Sequence, residues 1–148
     1  MTYKIYLNIS SMYSLLAAIV LIFMVTSMAQ AGFINDGTSN SLTRFDSTLE
    51  VNDNGRRVSV TGTVACTAGE KVQIHVSITQ SATGAVAEGN WKGDCTGSLQ
   101  TWGTDAVLQR SGEFEAGDAQ GVGLGVTSSH GKSTDAIQWL DEITLMQQ

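Results

Sequence analysis

Basic side chains are scarce in this chain of 148 residues, which has eight lysines and arginines against 14 aspartates and glutamates. Their largest cluster is the pair Arg56-Arg57. A protein that binds nucleic acid needs a basic patch to neutralise phosphates, so the composition argues against a nucleic-acid partner. The acidic surplus is better explained by solubility outside the cell.

The sequence also lacks the motifs that indicate an enzyme or a metal site. Neither of its two histidines, His75 and His130, has another histidine or a cysteine at metal-ligand spacing. Residues 128–135 contain Ser, His and Asp, but there is no Gly-x-Ser-x-Gly turn, and neighbours in sequence seldom form a triad. EF-hand spacing and a phosphate-binding glycine loop are missing too. We therefore predict a non-enzymatic protein without metal or cofactor.

Only two cysteines are present, Cys66 and Cys95. In an exported chain, an even pair without metal-binding neighbours predicts a disulfide, and here only one connectivity is possible. A bridge that closes a loop of about 30 residues stabilises a fold by ~3.5 kcal/mol in the chain-entropy description.

The N-terminus has the features of a secretory signal peptide. Leu15 to Val25 is an unbroken apolar run of 11 residues, and Ala29-Gln30-Ala31 is a small-x-small cleavage pattern. A membrane-spanning helix needs about 20 apolar residues, so we predict a signal peptide at 1–31, cleaved after Ala31, and no stable membrane span afterwards. Removal of Lys4 then leaves a net charge of −7.

The rest of the chain alternates between apolar and polar residues. After a predicted flexible leader at 32–44, residues 45–148 are expected to form one β domain. Its clearest segment is Val58–Gln80, which is interpreted as a hairpin of two strands with Cys66 on the buried side. Further strands are predicted around Ala85–Lys92, Leu99–Leu108 and Val122–Val126, where glycines leave one side bare. Residues 134–146 fit either a strand or a helix, and their Ile, Trp and Thr content favours a strand.

About seven or eight antiparallel strands with frequent turns are typical of a β-sandwich. In a simple meander, the first and third strands after residue 57 would lie about 9.6 Å apart, which exceeds the ~7 Å Cα limit of a disulfide. Either the third strand crosses to an opposite sheet, or the Gly93–Cys95 loop curls back. The first alternative predicts an immunoglobulin-like Greek-key sandwich.

A resemblance to a known family rests on a few motifs. They are the segment VTGTVACTAGE at 60–70, Gln80, Cys95-Thr96-Gly97, Gln100-Thr101-Trp102 and Phe114-Glu115-Ala116-Gly117. Over roughly 58–145, the chain resembles small secreted bacterial proteins, common in actinobacteria, that have an immunoglobulin-like β-sandwich and no established function. The resemblance implies the fold and export, and it transfers no catalytic residues. Members often have a second cysteine pair near 128–135, which this chain lacks.

Function is predicted only by class. The first hypothesis is a secreted binding or structural module, extracellular or at the cell surface, whose partner is an unknown protein or glycan. A second hypothesis is a carbohydrate-binding module that uses Trp91, with Lys92, Asp94 and His130 as its polar groups. Burial is favoured for each of the three tryptophans, Trp91, Trp102 and Trp139, and Trp91 is the best candidate for exposure because it leads into a loop. A third is a subunit of an extracellular assembly in which residues 32–44 add as a strand to a neighbour.

Overall fold

The structure is a computed structural model that describes residues 31–35, 42–110 and 112–148. The predicted signal peptide, apart from Ala31, and residues 36–41 of the predicted leader lie outside these described residues. The described chain is all-β, as the alternation predicts, and has no helix. Its strands are β1 (Arg44–Phe45), β2 (Thr48–Asn52), β3 (Arg57–Ala65), β4 (Lys71–Gln80), β5 (Ala85–Asp94), β6 (Leu99–Leu108), β7 (Gly117–Ser129) and β8 (Lys132–Gln147).

Seven of these strands close into a barrel. They follow one another in the order β3, β2, β8, β7, β4, β5 and β6, and β6 pairs with β3 to complete the circle, while β1 adds to β3. The closure is uneven, because β3 and β6 align nine residue pairs whereas β5 and β6 align two. The prediction of antiparallel strands is wrong at one place, since β2 and β8 run parallel.

The predicted hairpin at Val58–Gln80 is not formed, although both of its strands exist. β3 pairs with β1, β2 and β6, and β4 pairs with β5 and β7. The loop between them therefore carries the chain from one part of the barrel wall to another. Alternation identifies which side of a strand is buried, and it does so equally well whichever strand becomes the neighbour. The buried sides of β3 and β4 are accordingly as predicted.

The β3–β4 loop crosses from one part of the barrel wall to another, and this path explains the disulfide between Cys66 and Cys95. Their Cα atoms are 5.3 Å apart. Cys66 follows β3 and Cys95 follows β5, so the bridge joins the ends of two strands that are not neighbours in the sheet. Backbone hydrogen bonds hold the same two loops together: Cys95 N donates to Glu70 O at 2.9 Å, and Gly97 N donates to Cys66 O at 3.2 Å. The predicted disulfide is thus confirmed.

Strand β7 places its glycines inside the barrel. Gly121, Gly123 and Gly125 are buried, whereas the alternating valines and leucine face outward. A Cβ atom on these glycines would lie within 3 Å of a ring atom of Phe45, Trp139 and Phe33 respectively. The bare side of β7 therefore accommodates aromatic rings, which fill the interior in place of aliphatic side chains from β7 itself.

The described residues of the predicted leader, 32–35 and 42–44, pack against the barrel. Phe33 forms an isolated bridge with Cys66 and packs against the core, and Ile34 N donates to Ala65 O at 2.9 Å. Thr43 is buried. The described parts of the predicted leader thus make apolar contacts and hydrogen bonds with the barrel. At the other end, residues 134–146 lie in β8, which confirms the strand interpretation.

Candidate functional site

The outward sides of β4, β7 and β8 form one continuous surface. The strand registers align Leu124 on β7 with His75 on β4 and with Gln138 on β8, so side chains of the same parity lie next to one another across the sheet. We call this surface the outer apolar face. Its residues are Gln73, His75, Ser77, Val122, Leu124, Val126, Ala136, Gln138 and Leu140.

The apolar side chains of this face are directed outward because the inward positions of β7 are glycines beneath aromatic rings. Leu124 is 46% exposed and Leu140 is 57% exposed. Val122 lies directly opposite Leu140, and Val126 lies opposite Ala136, so the apolar residues are contiguous across the two strands. A contiguous exposed apolar patch is typical of an interaction site, whereas single exposed apolar residues are common on any protein.

The outer apolar face is uncharged on a protein whose surface is acidic. None of its nine residues is Asp, Glu, Lys or Arg. Its polar groups are amides, a hydroxyl and an imidazole, and His75 Nδ1 lies 3.1 Å from Asn90 Oδ1 on the neighbouring β5. Depletion of charge at the centre, with polar groups around it, is the composition found at the cores of protein interfaces.

Two of the predicted site residues, Lys92 and Asp94, lie at one end of this face. They line an open depression of about 320 Å³ together with Lys71, Gln73 and Ser128. Asp94 forms an exposed ion pair with Lys71, across the β4–β5 ladder. Because both partners are exposed, this pair contributes little to stability. The depression is open, three charged side chains line it, and it borders the outer apolar face.

Trp91 does not join Lys92 and Asp94, because adjacent residues on a strand face opposite sides. Its indole is partly buried against the core, with its ring centroid 6.4 Å from that of Trp102. Trp102 is also 5.8 Å from Phe45 and 6.4 Å from Trp139, so the three tryptophans and Phe45 form one interior aromatic cluster. Burial of Trp102 and partial burial of Trp139 agree with the interpretation of these residues as core.

His130 lies at the tip of the β7–β8 hairpin with a positive φ of 50°. Its Nδ1 is 3.0 Å from Ser129 Oγ, and both side chains are at the surface. Asp135 is engaged elsewhere: its Oδ2 accepts from Phe33 N at 3.1 Å and its Oδ1 accepts from Ala136 N at 2.8 Å. The serine, histidine and aspartate of this loop are therefore not assembled into a triad.

No group of three or more His, Cys, Asp or Glu side chains among the described residues could hold a metal ion. Within the same residues, no helix is long and apolar enough to cross a membrane.

The residues of the outer apolar face are not among the site residues predicted from the sequence. The signal for them is the sequence of β7, in which valine and leucine alternate with three glycines. Alternation alone is normally taken to place the apolar side inward. The neighbouring β8 contains Trp139 directly opposite Gly123, and a ring of that size fits the interior only above a glycine.

Comparison with known proteins identifies no relative: no protein-family model matches this chain, and no curated protein matches it. The resemblance to small secreted bacterial proteins therefore stays a prediction.

Proposed function

We propose that this protein is a secreted, non-enzymatic module that binds another protein through the outer apolar face, outside the cell or at its surface. The observation that carries the proposal is a contiguous, uncharged apolar patch on an otherwise acidic protein. Desolvation of Leu124 and Leu140 would provide the driving force, at about 25 cal/mol per Å² of apolar area removed from water. Their exposure leaves about half of that area available to a partner.

The surroundings of the face favour a different protein as partner over a second copy of this chain. Two copies that each carry a net charge near −7 repel one another, whereas a neutral or basic partner does not experience that repulsion.

The strands that present the face are also the most extensively paired, since β7 aligns with both β4 and β8 along most of its length. A face on such strands is already ordered, which reduces the entropy lost on binding.

For the fold, we propose the immunoglobulin-like Greek-key arrangement within the closed barrel. The pairing supports two layers: β1, β3 and β6 on one side, and β2, β8, β7, β4 and β5 on the other. The junctions between them are weak, because β5 and β6 share two residue pairs and β2 shares three with β3. A sandwich with two narrow junctions would give this pattern.

Export is supported by two independent features. One is the apolar run and cleavage pattern before Gly32, and the other is the disulfide between Cys66 and Cys95. Structural disulfides persist in oxidising compartments and are rare in the reducing cytosol.

The two other binding hypotheses have less support. Stacking on a sugar requires a free ring face, whereas the indole of Trp91 packs against Trp102 and lies over Gly93. Strand addition to a neighbour by residues 32–44 requires free backbone groups, whereas Gly32 and Ile34 already bond to Thr67 and Ala65 of the same chain. Neither objection applies to the outer apolar face, because its apolar side chains are exposed and it needs no free backbone groups.

The test is site-specific photocrosslinking followed by affinity measurement. A benzophenone amino acid replaces Leu140 in the protein exported by its own cells, and the matched control replaces Leu99 on β6, which is 55% exposed on a different side of the barrel. We expect one dominant protein adduct at position 140 and none at 99. The adduct partner is then purified, and Leu124→Gln and Leu140→Gln should each weaken its binding about tenfold, whereas Leu99→Gln should not.

Equal crosslinking at the two positions, or equal weakening by all three substitutions, would overturn the proposal. A protein that gives no adduct but binds a glycan array, and loses that binding in Trp91→Ala, would establish the carbohydrate hypothesis instead. Oligomers that disappear when residues 32–44 are deleted would establish strand addition.

A further inference from the structure

The backbone nitrogen of Gly32 is directed at a buried carboxylate. Gly32 is buried, and its N donates to Glu70 Oε2 at 2.9 Å. Its carbonyl accepts from Thr67 N at 2.9 Å and from Thr67 Oγ1 at 3.1 Å. The residue before it, Ala31, is exposed. The chain therefore enters the folded domain at Gly32, beside Glu70.

Glu70 lacks a positively charged partner among the described residues. It is 5% exposed, and its Oε1 is buried without a hydrogen-bond partner. The neighbouring Lys71 is directed to the surface, where its ammonium pairs with Asp94. A buried carboxylate that receives a single amide proton carries a large desolvation penalty, typically several kcal/mol. Within the part of the chain that the structure describes, the site thus has no cation.

A second carboxylate, that of Asp135 on β8, also lies beside Gly32. A Cβ on Gly32 would lie 2.6 Å from Asp135 Oδ2, and this oxygen accepts from Phe33 N at 3.1 Å. Gly32 also has a φ of +119°, a backbone conformation that favours glycine. Two carboxylates therefore lie beside Gly32, whose backbone nitrogen remains an uncharged amide as long as Ala31 is attached.

We propose that hydrolysis of the Ala31–Gly32 peptide bond by a signal peptidase supplies the missing cation, as the new α-ammonium of Gly32. Water adds across the C–N bond, Ala31 leaves with a carboxylate, and the amine of Gly32 takes a proton from solvent. The resulting group has three protons. One takes the place of the amide proton in the hydrogen bond to Glu70 Oε2, another reaches Glu70 Oε1, and the positive charge lies beside Asp135.

Cleavage is then the event that completes the fold. It must occur before Gly32 is buried, because a peptidase needs an extended and accessible bond. Once cut, the terminus docks between Glu70 and Asp135 and carries Phe33 onto the core beside Gly125. The inference goes beyond the proposed function and shares only export with it.

The ion pair also makes a defined contribution to the pH dependence of stability. A free α-amino group has a pKa of about 8, and pairing with a carboxylate raises the pKa of the folded amine. The stabilisation is therefore complete below about pH 8 and is lost as the pH rises through the folded pKa. Glu70, from the β3–β4 loop, and Asp135, from β8, are the charged groups that contact Gly32.

The test uses the full chain, exported with its own leader. The N-terminus of the exported protein is determined by mass spectrometry and is expected to be Gly32. An amine-acylating reagent is then applied at pH 7.5 to the native protein and, separately, to the protein unfolded in urea. We expect the α-amine to react at least about tenfold more slowly in the native protein, because it is buried and charged, whereas the exposed Lys92 and Lys132 react similarly in both.

Glu70→Gln removes the carboxylate at nearly constant size and should abolish the protection of the α-amine. We also expect the melting temperature of the native protein to fall as the pH rises from 8 to 10, and Glu70→Gln should remove that loss. Asp135→Asn provides a second variant, with a smaller loss of protection, should Glu70→Gln fail to fold.

Three outcomes would overturn the inference. One is an N-terminus at another residue, the second is an α-amine that reacts equally fast in the native and unfolded protein, and the third is full protection in Glu70→Gln. None of them bears on the outer apolar face, so this inference and the proposed function fail separately.

Discussion

The side-chain amide of Gln80 binds both backbone groups of Glu115. Gln80 Oε1 accepts from Glu115 N at 2.9 Å, and Gln80 Nε2 donates to Glu115 O at 3.0 Å. Gln80 is 2% exposed at the end of β4, and the adjacent Phe114 is 1% exposed. The buried amide of Gln80 thus makes the two hydrogen bonds to Glu115 that a neighbouring strand would otherwise make. It fixes the loop before β7 and so holds Phe114 in the core.

Replacement of Gln80 by alanine should destabilise the protein by about 2–4 kcal/mol, because it leaves two backbone groups of Glu115 unpaired and opens a cavity. Gln73→Ala is the matched control, since it changes the same residue type on the same strand at an exposed position. It should change the free energy of unfolding by less than about 0.5 kcal/mol. Urea denaturation measures both variants, and equal losses would refute a special role for Gln80.

The sequence predicts the strands and their buried sides better than it predicts their partners. Leu49, Val58 and Ile74 are buried as alternation requires, because alternation is local and repeats every two residues. Whether β3 pairs with β4 or with β6 depends on residues that lie about 40 positions apart, and alternation contains no information about that choice. The prediction that β3 and β4 form a hairpin is wrong for this reason.

The same limit applies to the site. The shared parity of Trp91 with Ala85 and Ala87 is sufficient to place its side chain inward, because both alanines are buried. Lys92 and Asp94 follow on the outward side. The outer apolar face is harder to predict, because it depends on aromatic rings from other segments that occupy the space above the glycines of β7.

Gly123→Ala should destabilise the protein by about 1–3 kcal/mol, because the added methyl group would lie 2.2 Å from the indole of Trp139 and the ring cannot move without disturbing the aromatic cluster. Gly103→Ala is the control: its Cβ would meet no atom closer than 3.4 Å, so we expect a change near zero or a slight stabilisation. Unfolding curves and near-ultraviolet circular dichroism measure the two effects. A Gly123→Ala protein as stable as Gly103→Ala would contradict the close packing of Trp139.

Trp102→Phe should cost more stability than Trp139→Phe. Trp102 Nε1 donates to Thr63 O at 3.0 Å, so phenylalanine removes that hydrogen bond. Trp139 Nε1 is buried without a partner among the described residues, so phenylalanine removes an unsatisfied donor there. Both variants lose similar ring volume, and we expect their free energies of unfolding to differ by about 1–2 kcal/mol. Equal losses would show that ring volume dominates at both positions.

Removal of the disulfide should lower stability mainly by changing the unfolded chain. A sequence separation of 29 residues between Cys66 and Cys95 corresponds to about 3.5 kcal/mol in the chain-entropy description. The loops are also joined by hydrogen bonds from Cys95 N to Glu70 O and from Gly97 N to Cys66 O, so the double Cys→Ala variant should keep the native fold.

The denaturant dependence separates this mechanism from damage to the native state. Without the bridge, the unfolded chain exposes more surface, so the urea m-value of Cys66→Ala/Cys95→Ala should rise while the stability falls. Wild-type protein treated with a reducing agent is the control without substitution and should show the same two changes. A fall in stability with an unchanged m-value and an altered near-ultraviolet spectrum would instead mean that the bridge supports the packing of the folded barrel.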